Sequence, residues 1–477
     1  MTASTKSAST KLSWLSRTIL LGASVMCAAV LALLVARNRA QLVTPVWLQI
    51  VLFLALGAAA LAYVALRKSA VARRLIAVEI LMVVVSVLAV ETLIALFAPQ
   101  TPSQQMTRAR VADKLGVPFD LRTKSEVVDE LRAQGTDALP GISLGWPRQS
   151  FVRQQLPEGL YPLSHASRAP IVECNEDGKY LVWESDELGF NNPAGLVSSG
   201  KVEIAAVGAS FTLGHCVSRE DSLLGHLRGR YGNVANFGLA GGGALTMLGA
   251  FREYVEPLRP PLVLWIMHPR TAATEGEMAD PVLSRYLEKD FSQRLWPRQG
   301  EIDVLWRELS IPMQYEFDRR SKLSINGAEE QRFARIPLLA QLRERVQLGG
   351  GSGGAGSIDL EPFMSSVRLA QSTTQTWGGE FVVVIMPLYE EVVARQLPPQ
   401  LHHERLAAML REANVTTIDA AAFFASQPDV ADLYTMRINN HPNPHGFTVL
   451  SNFVMTELER RLPARLSALR AAPQGKE

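Results

Sequence analysis

Val202-Glu203-Ile204-Ala205-Ala206-Val207-Gly208-Ala209-Ser210-Phe211-Thr212-Leu213-Gly214 is the stretch from which the fold of this chain is read. The apolar run from Val202 to Val207 predicts a buried strand. Gly208 then opens a tight strand-to-helix turn that lifts Ser210 to the carboxyl edge of a sheet, where open α/β folds place their chemistry. Further along the chain, strands are predicted at Asn233 to Phe237, Leu262 to Met267, Phe381 to Met386 and Val415 to Ile418, with helices after Ser210 and near Gly243, Tyr389 and Phe447. Strand alternating with helix predicts an α/β fold, a parallel sheet with helices on both faces. The interval 275–379 is too long for a simple crossover and reads as an insertion. It carries helical patterns at Asp280 to Leu295 and Arg332 to Gln347, then a flexible Gly/Ser stretch from Gly349 to Ser357.

A serine hydroxyl is a poor nucleophile at neutral pH and needs a base within hydrogen-bond reach. The far end of the domain offers His441, in Asn439-Asn440-His441-Pro442-Asn443-Pro444-His445-Gly446. Each motif also has a plain reading: Gly-Ala-Ser after a strand as an ordinary capped turn, and the His segment as a Pro-rich loop with a solvated imidazole. His215 and His226 read as structural or exposed. His402 and His403 have no Cys or carboxylate at metal spacing, so neither a metal nor any other cofactor is expected.

From about Cys174 to Leu462 these residues resemble the SGNH/GDSL hydrolase family, whose first block reads Gly-Asp-Ser and whose last carries the catalytic His before Pro-Asn and Gly. The resemblance implies an SGNH-like α/β/α domain in which Ser210 and His441 are catalytic. Asn233 to Gly243 is similar to the second block and implies that the N–H groups of Ser210 and Gly241 bind the oxyanion. Ser185-Asp186-Glu187-Leu188-Gly189-Phe190-Asn191-Asn192-Pro193 looks like a segment of membrane-anchored bacterial members found near polysaccharide genes. The chain departs from the pattern three times. Ala209 stands where the family has Asp before the nucleophile. Ile438 stands where it has the Asp that orients the His, leaving Asn439, Asn440, Asp432 or a bare Ser–His dyad as the options, and predicting that Ile438→Asp raises activity. After Leu262 to Met267 the oxyanion Asn of the third block is missing, with His268 or Arg270 as replacement donors.

The first 99 residues are a different class of polypeptide. Thr18 to Ala36, Val43 to Leu66 and Leu75 to Ala98 each reach the roughly 20 residues that span a bilayer as a helix. Arg67, Lys68, Arg73 and Arg74 lie between the second and third, and Lys6, Lys11 and Arg17 precede the first. The positive-inside rule then puts the amino terminus in the cytoplasm and the large domain outside, in a multi-pass protein of the bacterial inner membrane. The first span alternatively reads as a cleaved signal peptide. Trp14 and Trp47 suit the interfaces. Glu79 and Glu91 are read as snorkelling to an interface rather than as a transport site.

Residues 100–170 read as a membrane-proximal connector without catalytic residues. It is helical from Val111 to Gly135, with Thr123 or Ser125 as a helix cap, and loop or short strands follow from Leu139 to Pro170. The hydrolase-like domain is placed at 171–465 and a tail at 466–477. The formal net charge of +2 gives no electrostatic case for nucleic acid. Cys27 falls in the first span, leaving Cys174 and Cys216 as a disulfide or as two buried thiols. Two functions stay open: a membrane-anchored O-acyl esterase or acyltransferase acting on an extracytoplasmic acylated glycan, and an SGNH scaffold without catalysis that serves in an envelope polysaccharide system. A membrane sensor or transporter built on the glutamates is a third. Oligomeric state is not legible.

Overall fold

In a computed structural model of the chain, the residues described are 14–25, 28, 45–97, 104–143, 145, 150–272, 275–326, 359–394, 403–438 and 440–471. The chain divides between Gln100 and Thr101 into two compact units. In the first, helices α1 (14–25), α2 (Pro45–Arg67) and α3 (Ala70–Phe97) are described. Among the described residues no helix is both long and apolar enough to cross a membrane. The three predicted spans are therefore unsupported there. Arg73, Arg74 and Glu79 interrupt the first half of α3, much of Thr18 to Ala36 lies outside the described residues, and so do the side chains of 45–54, 89 and 91–97, Glu91 included.

The second unit is built on a five-stranded, wholly parallel sheet of β4 (Ile204–Gly208), β5 (Val234–Gly238), β6 (Leu262–Met267), β7 (Glu380–Ile385) and β8 (Thr416–Asp419), in the order β5-β4-β6-β7-β8. All five predicted strands are present within two residues of their expected ends. The residues of β4 to β7 are almost entirely buried because helices cover both faces, whereas the edge strand β8 is mostly half-buried. Alternate residues Ala205, Val207, Trp265 and Val383 enter one core, with α8 (Ala244–Ala250) and α10 (Glu361–Thr376). Ile204, Ala206, Leu264 and Val384 enter the other, with α7 (Leu223–Tyr231), α11 (Ala421–Ala425) and α12 (Pro444–Arg461). Because the chain leaves β4 for β5 on one side and returns to β6 on the other, the carboxyl ends of β4 and β6 form a switch point, where a crevice opens. Ser210 follows β4 and His268 follows β6.

Residues 101–170 belong to this same unit. Helices α4 (Gln104–Leu115) and α5 (Lys124–Ala133) replace the single predicted helix; Thr123 and Glu126 close a reciprocal capping box at the start of α5. A second sheet joins β1 (Leu139–Pro140), β2 (Pro170–Val172) and β3 (Val182–Glu184). The insertion differs from expectation. Asp280 to Leu295 forms only a 3-10 turn, Leu283–Leu287, because the buried Glu253 carboxylate accepts bonds from Tyr286 Oη, Ser292 Oγ and the amides of Gln293 and Leu295, diverting them from a helical ladder. The long helix is α9 (Gln299–Asn326), which has Pro312 in its interior. Arg332 to Gln347 and Gly349 to Ser357 lie outside the described residues.

Candidate active site

Ser210 begins α6 (Ser210–Leu213), a single turn on the end of β4. Thr212 and Leu213 return their amides to Ala209 O, and His215 returns its own to Ser210 O, which fixes the serine at the crest. Gly208 is required because a Cβ there would collide with Ile266 O of the adjacent strand and with Thr212 Oγ1. Asn191 Nδ2 donates to Leu213 O at 3.1 Å, Asn192 exchanges bonds with Asn236 of β5, and Asp186 accepts the amides of Leu188 and Phe190. The 185–193 segment is thus a buried brace under the serine turn.

His441 Nε2 lies 2.8 Å from Ser210 Oγ, although the residues are 231 positions apart. Thr435 holds the histidine by donating from its amide and its hydroxyl to His441 O. The ring packs against Phe211 and His215, with centroids 5.3 and 4.6 Å away. On its other side Nδ1 lies 3.1 Å from Glu176 Oε1, and the His441 backbone N–H donates to Glu176 Oε2 at 2.9 Å. An ionised carboxylate only accepts, so Nδ1 carries the proton and Nε2 is left to accept from the serine.

Glu176 stands where the sequence reading had no candidate. Asp432 pairs with Arg437, Asn439 lies outside the described residues, and the Asn440 side chain binds Arg108 Nε and Thr435 O. None of the described alternatives touches the imidazole, so the expectation that they orient it is corrected. The connector, read as having no catalytic residues, does supply a side chain that touches the acid: Arg108 of α4 places Nη2 2.6 Å from Glu176 Oε1 and reaches toward Asn175 O. The arrangement is a line, Asn440–Arg108–Glu176–His441–Ser210.

Burial alone would raise the Glu176 carboxyl, but the charge and hydrogen bonds of His441, with His215 and Arg108 nearby, outweigh it and hold it at about 2. Burial pushes the His441 imidazole below its ordinary value, and Glu176 opposes that shift. Only the neutral imidazole accepts a proton, so kcat/KM is expected to rise with pH through a midpoint below about 6.5 and to stay flat across neutrality. Removing the opposing charge in Glu176→Gln lowers the midpoint further; pH–rate profiles of the two proteins check both statements. Arg108→Gln takes the guanidinium from a buried carboxylate and leaves it the N–H groups of His441, and is expected to destabilise the fold by about 3 kcal/mol, read from urea unfolding.

A cavity of about 260 Å³ opens at Ser210, lined by Ala209, Gly241, Gly242, Gly243, His268, Arg270, Thr271 and Glu277. Gly241 has φ +75, and a Cβ on it would meet Ser143 Oγ. Neither Ser210 nor Gly241 donates its N–H to a protein group among the described residues. Glu277, by contrast, takes up the Gly243 and Leu245 amides and the Thr246 hydroxyl, capping α8. His268 borders the cavity as a neutral donor. Burial, with the charges of His441 and Arg270, pushes its imidazole down to about 3, and its Nδ1 has no hydrogen-bond partner among the described residues. Arg270 is paired with Glu390.

Two other histidines, His215 and His403, differ from expectation. His215 sits in the site, its Nδ1 3.2 Å from Glu173 Oε1. His403 has the carboxylate neighbours the spacing did not reveal: Nε2 lies 2.7 Å from Asp419 Oδ2, and Glu391 faces Nδ1. Against burial, these acids raise it to about 10, an ion-paired structural residue. His226 lies near Thr448. Cys174 and Cys216 form a disulfide, with Cα atoms 5.5 Å apart.

No protein-family model matches the chain, and no curated protein matches it. Among solved structures it is similar to a putative lipolytic protein of the G-D-S-L family from Desulfitobacterium hafniense DCB-2, at 14% identity and a TM-score of 0.31, over 54% of this chain and 98% of that one. A member of the lipolytic protein G-D-S-L family from Veillonella parvula DSM 2008 is similar at 12% identity and a TM-score of 0.27, over 54% of this chain and 97% of that one. A likeness this slight does not bear on the chemistry of the site.

Proposed function

We propose that this chain is a serine O-acyl esterase or acyltransferase of SGNH/GDSL type. The observation that carries the reading is the unbroken line from Ser210 through His441 to Glu176. Ser210 Oγ attacks the ester carbonyl as its proton passes to His441 Nε2, while Glu176 steadies the imidazolium through Nδ1–H. The new oxyanion is met by the N–H groups of Ser210 and Gly241, with His268 in place of the family's asparagine. Collapse breaks the bond to the leaving alcohol, which takes the proton from Nε2 and leaves an acyl-serine. Water or a sugar hydroxyl then attacks that ester, giving its proton to Nε2; the bond from the acyl carbon to Ser210 Oγ breaks, and Oγ takes the proton back from Nε2. Release of acetate from an acetylated glycan, lost in Ser210→Ala, tests the reaction. Transfer of the acyl group to a second glycan separates the transferase from the esterase.

The non-catalytic scaffold draws on Ala209, Ile438 and the missing third-block Asn; Glu176 on Nδ1 of His441 speaks against the second of these. The glycan substrate, extracytoplasmic site and three-span anchor rest on the sequence alone: its apolar runs, its Arg/Lys loop and the 185–193 resemblance. Alkaline phosphatase fused after Glu477 is expected to be active; an inactive fusion alongside a bright cytoplasmic fluorescent fusion would overturn the topology.

A further inference from the structure

Between β2 and β3, residues Glu173 to Glu176 are irregular chain, yet three successive links tie them to the catalytic residues. Glu173 faces His215, Cys174 is bonded to Cys216, and Glu176 reaches His441. His215 and Cys216 immediately follow the turn that Ser210 begins. The covalent link therefore joins the irregular segment carrying the acid, at two residues' distance, to the turn carrying the nucleophile. Cys216 has φ +63, a left-handed backbone that a residue with a Cβ seldom adopts unless its surroundings impose it. Arg108 binds the same Glu176 oxygen from the side of α4. The acid thus stands between two competing donors, the Arg108 guanidinium and the His441 Nδ1–H, and the bridge fixes its backbone on the imidazole side.

We propose that the Cys174–Cys216 disulfide is the positioning element that keeps Glu176 on His441, so that the site works only in its oxidised form. This rests on reading Ser210, His441 and Glu176 as the reacting relay. Reduction by a dithiol breaks the S–S bond: two electrons and two protons pass to the cysteines, giving two thiols and a cyclic disulfide of the reductant. Cys216 then relaxes, and Glu176 stays with Arg108 while leaving His441. The ester binds as before, but the imidazolium formed during attack has lost its counter-charge. The loss falls on kcat.

The test follows the His441 amide, which reports where Glu176 is because it donates to that carboxylate. Hydrogen exchange of the full chain is followed by mass spectrometry before and after dithiothreitol, and in Cys174→Ala/Cys216→Ala. The peptide holding His441 is expected to exchange at least about tenfold faster in the reduced and double-variant proteins, with β4, β6 and β7 unchanged. Hydrolysis of p-nitrophenyl acetate should lose at least about tenfold in kcat with KM within about twofold, and reduction should cost Glu176→Gln little more, since two groups acting as one unit are not additive. Unchanged exchange at His441 overturns the inference whether or not the protein hydrolyses esters. Loss of protection across the sheet also overturns it, since the bridge would then serve the whole fold. Local release of His441 in a protein whose activity ignores Ser210→Ala would uphold the positioning and defeat the catalytic reading.

Discussion

Ser210→Ala and His441→Ala are each expected to lower kcat toward p-nitrophenyl acetate by about a millionfold, and the double variant by no more than either alone. The reason is geometric. At 2.8 Å the imidazole is the only base on the hydroxyl among the described residues, so a serine without it stays protonated and a base without the serine has no nucleophile to activate. What survives in each variant is binding and oxyanion stabilisation. Steady-state rates with unchanged thermal unfolding midpoints check it. Additive losses would mean that the two residues do not act as a unit.

Glu176→Gln is expected to cost about four orders of magnitude in kcat, the scale seen when the orienting acid of a serine–histidine relay becomes an amide. The substitution keeps size and shape but loses the charge, and the amide can offer Nδ1 a donor that reverses the tautomer. Asp432→Asn, which acts only on Arg437, should leave kcat within about twofold. Ile438→Asp is likewise not expected to raise activity, because Glu176 already occupies Nδ1; this reverses the expectation drawn from sequence. A gain in Ile438→Asp together with an unaffected Glu176→Gln would return the orienting role to position 438.

The contrast between those two positions shows how far the sequence could be read. The sheet was legible because its strands are short, apolar and bounded by Gly, Asn and Pro, and because a strand buried on both faces has few other compositions open to it. Ser210 and His441 were legible for a related reason: each sits directly on the end of a regular element, β4 or the loop capping α12, so local spacing fixes its place. Glu176 and Arg108 have no such anchor. One lies on irregular chain and the other on a helix 68 residues earlier, and only tertiary packing brings them together. One signal did exist. Cys174 and Cys216 were recognised as a possible pair, and a bridge to a residue six positions after Ser210 would have carried Glu176 to the nucleophile. Asp280 to Leu295 failed as a helix because its periodicity was overridden by one buried carboxylate, Glu253, which no local pattern encodes.

Whether His441 and Glu176 activate Ser210 as a nucleophile is read directly by labelling the full chain with a fluorophosphonate, followed by peptide mass spectrometry. Only an activated serine displaces fluoride quickly and forms a stable phosphonyl ester. The expected result is one label, on Ser210, whose rate falls by at least about a hundredfold in His441→Ala and in Glu176→Gln. No label on Ser210, or labelling as fast in both variants as in the parent, would contradict this activation.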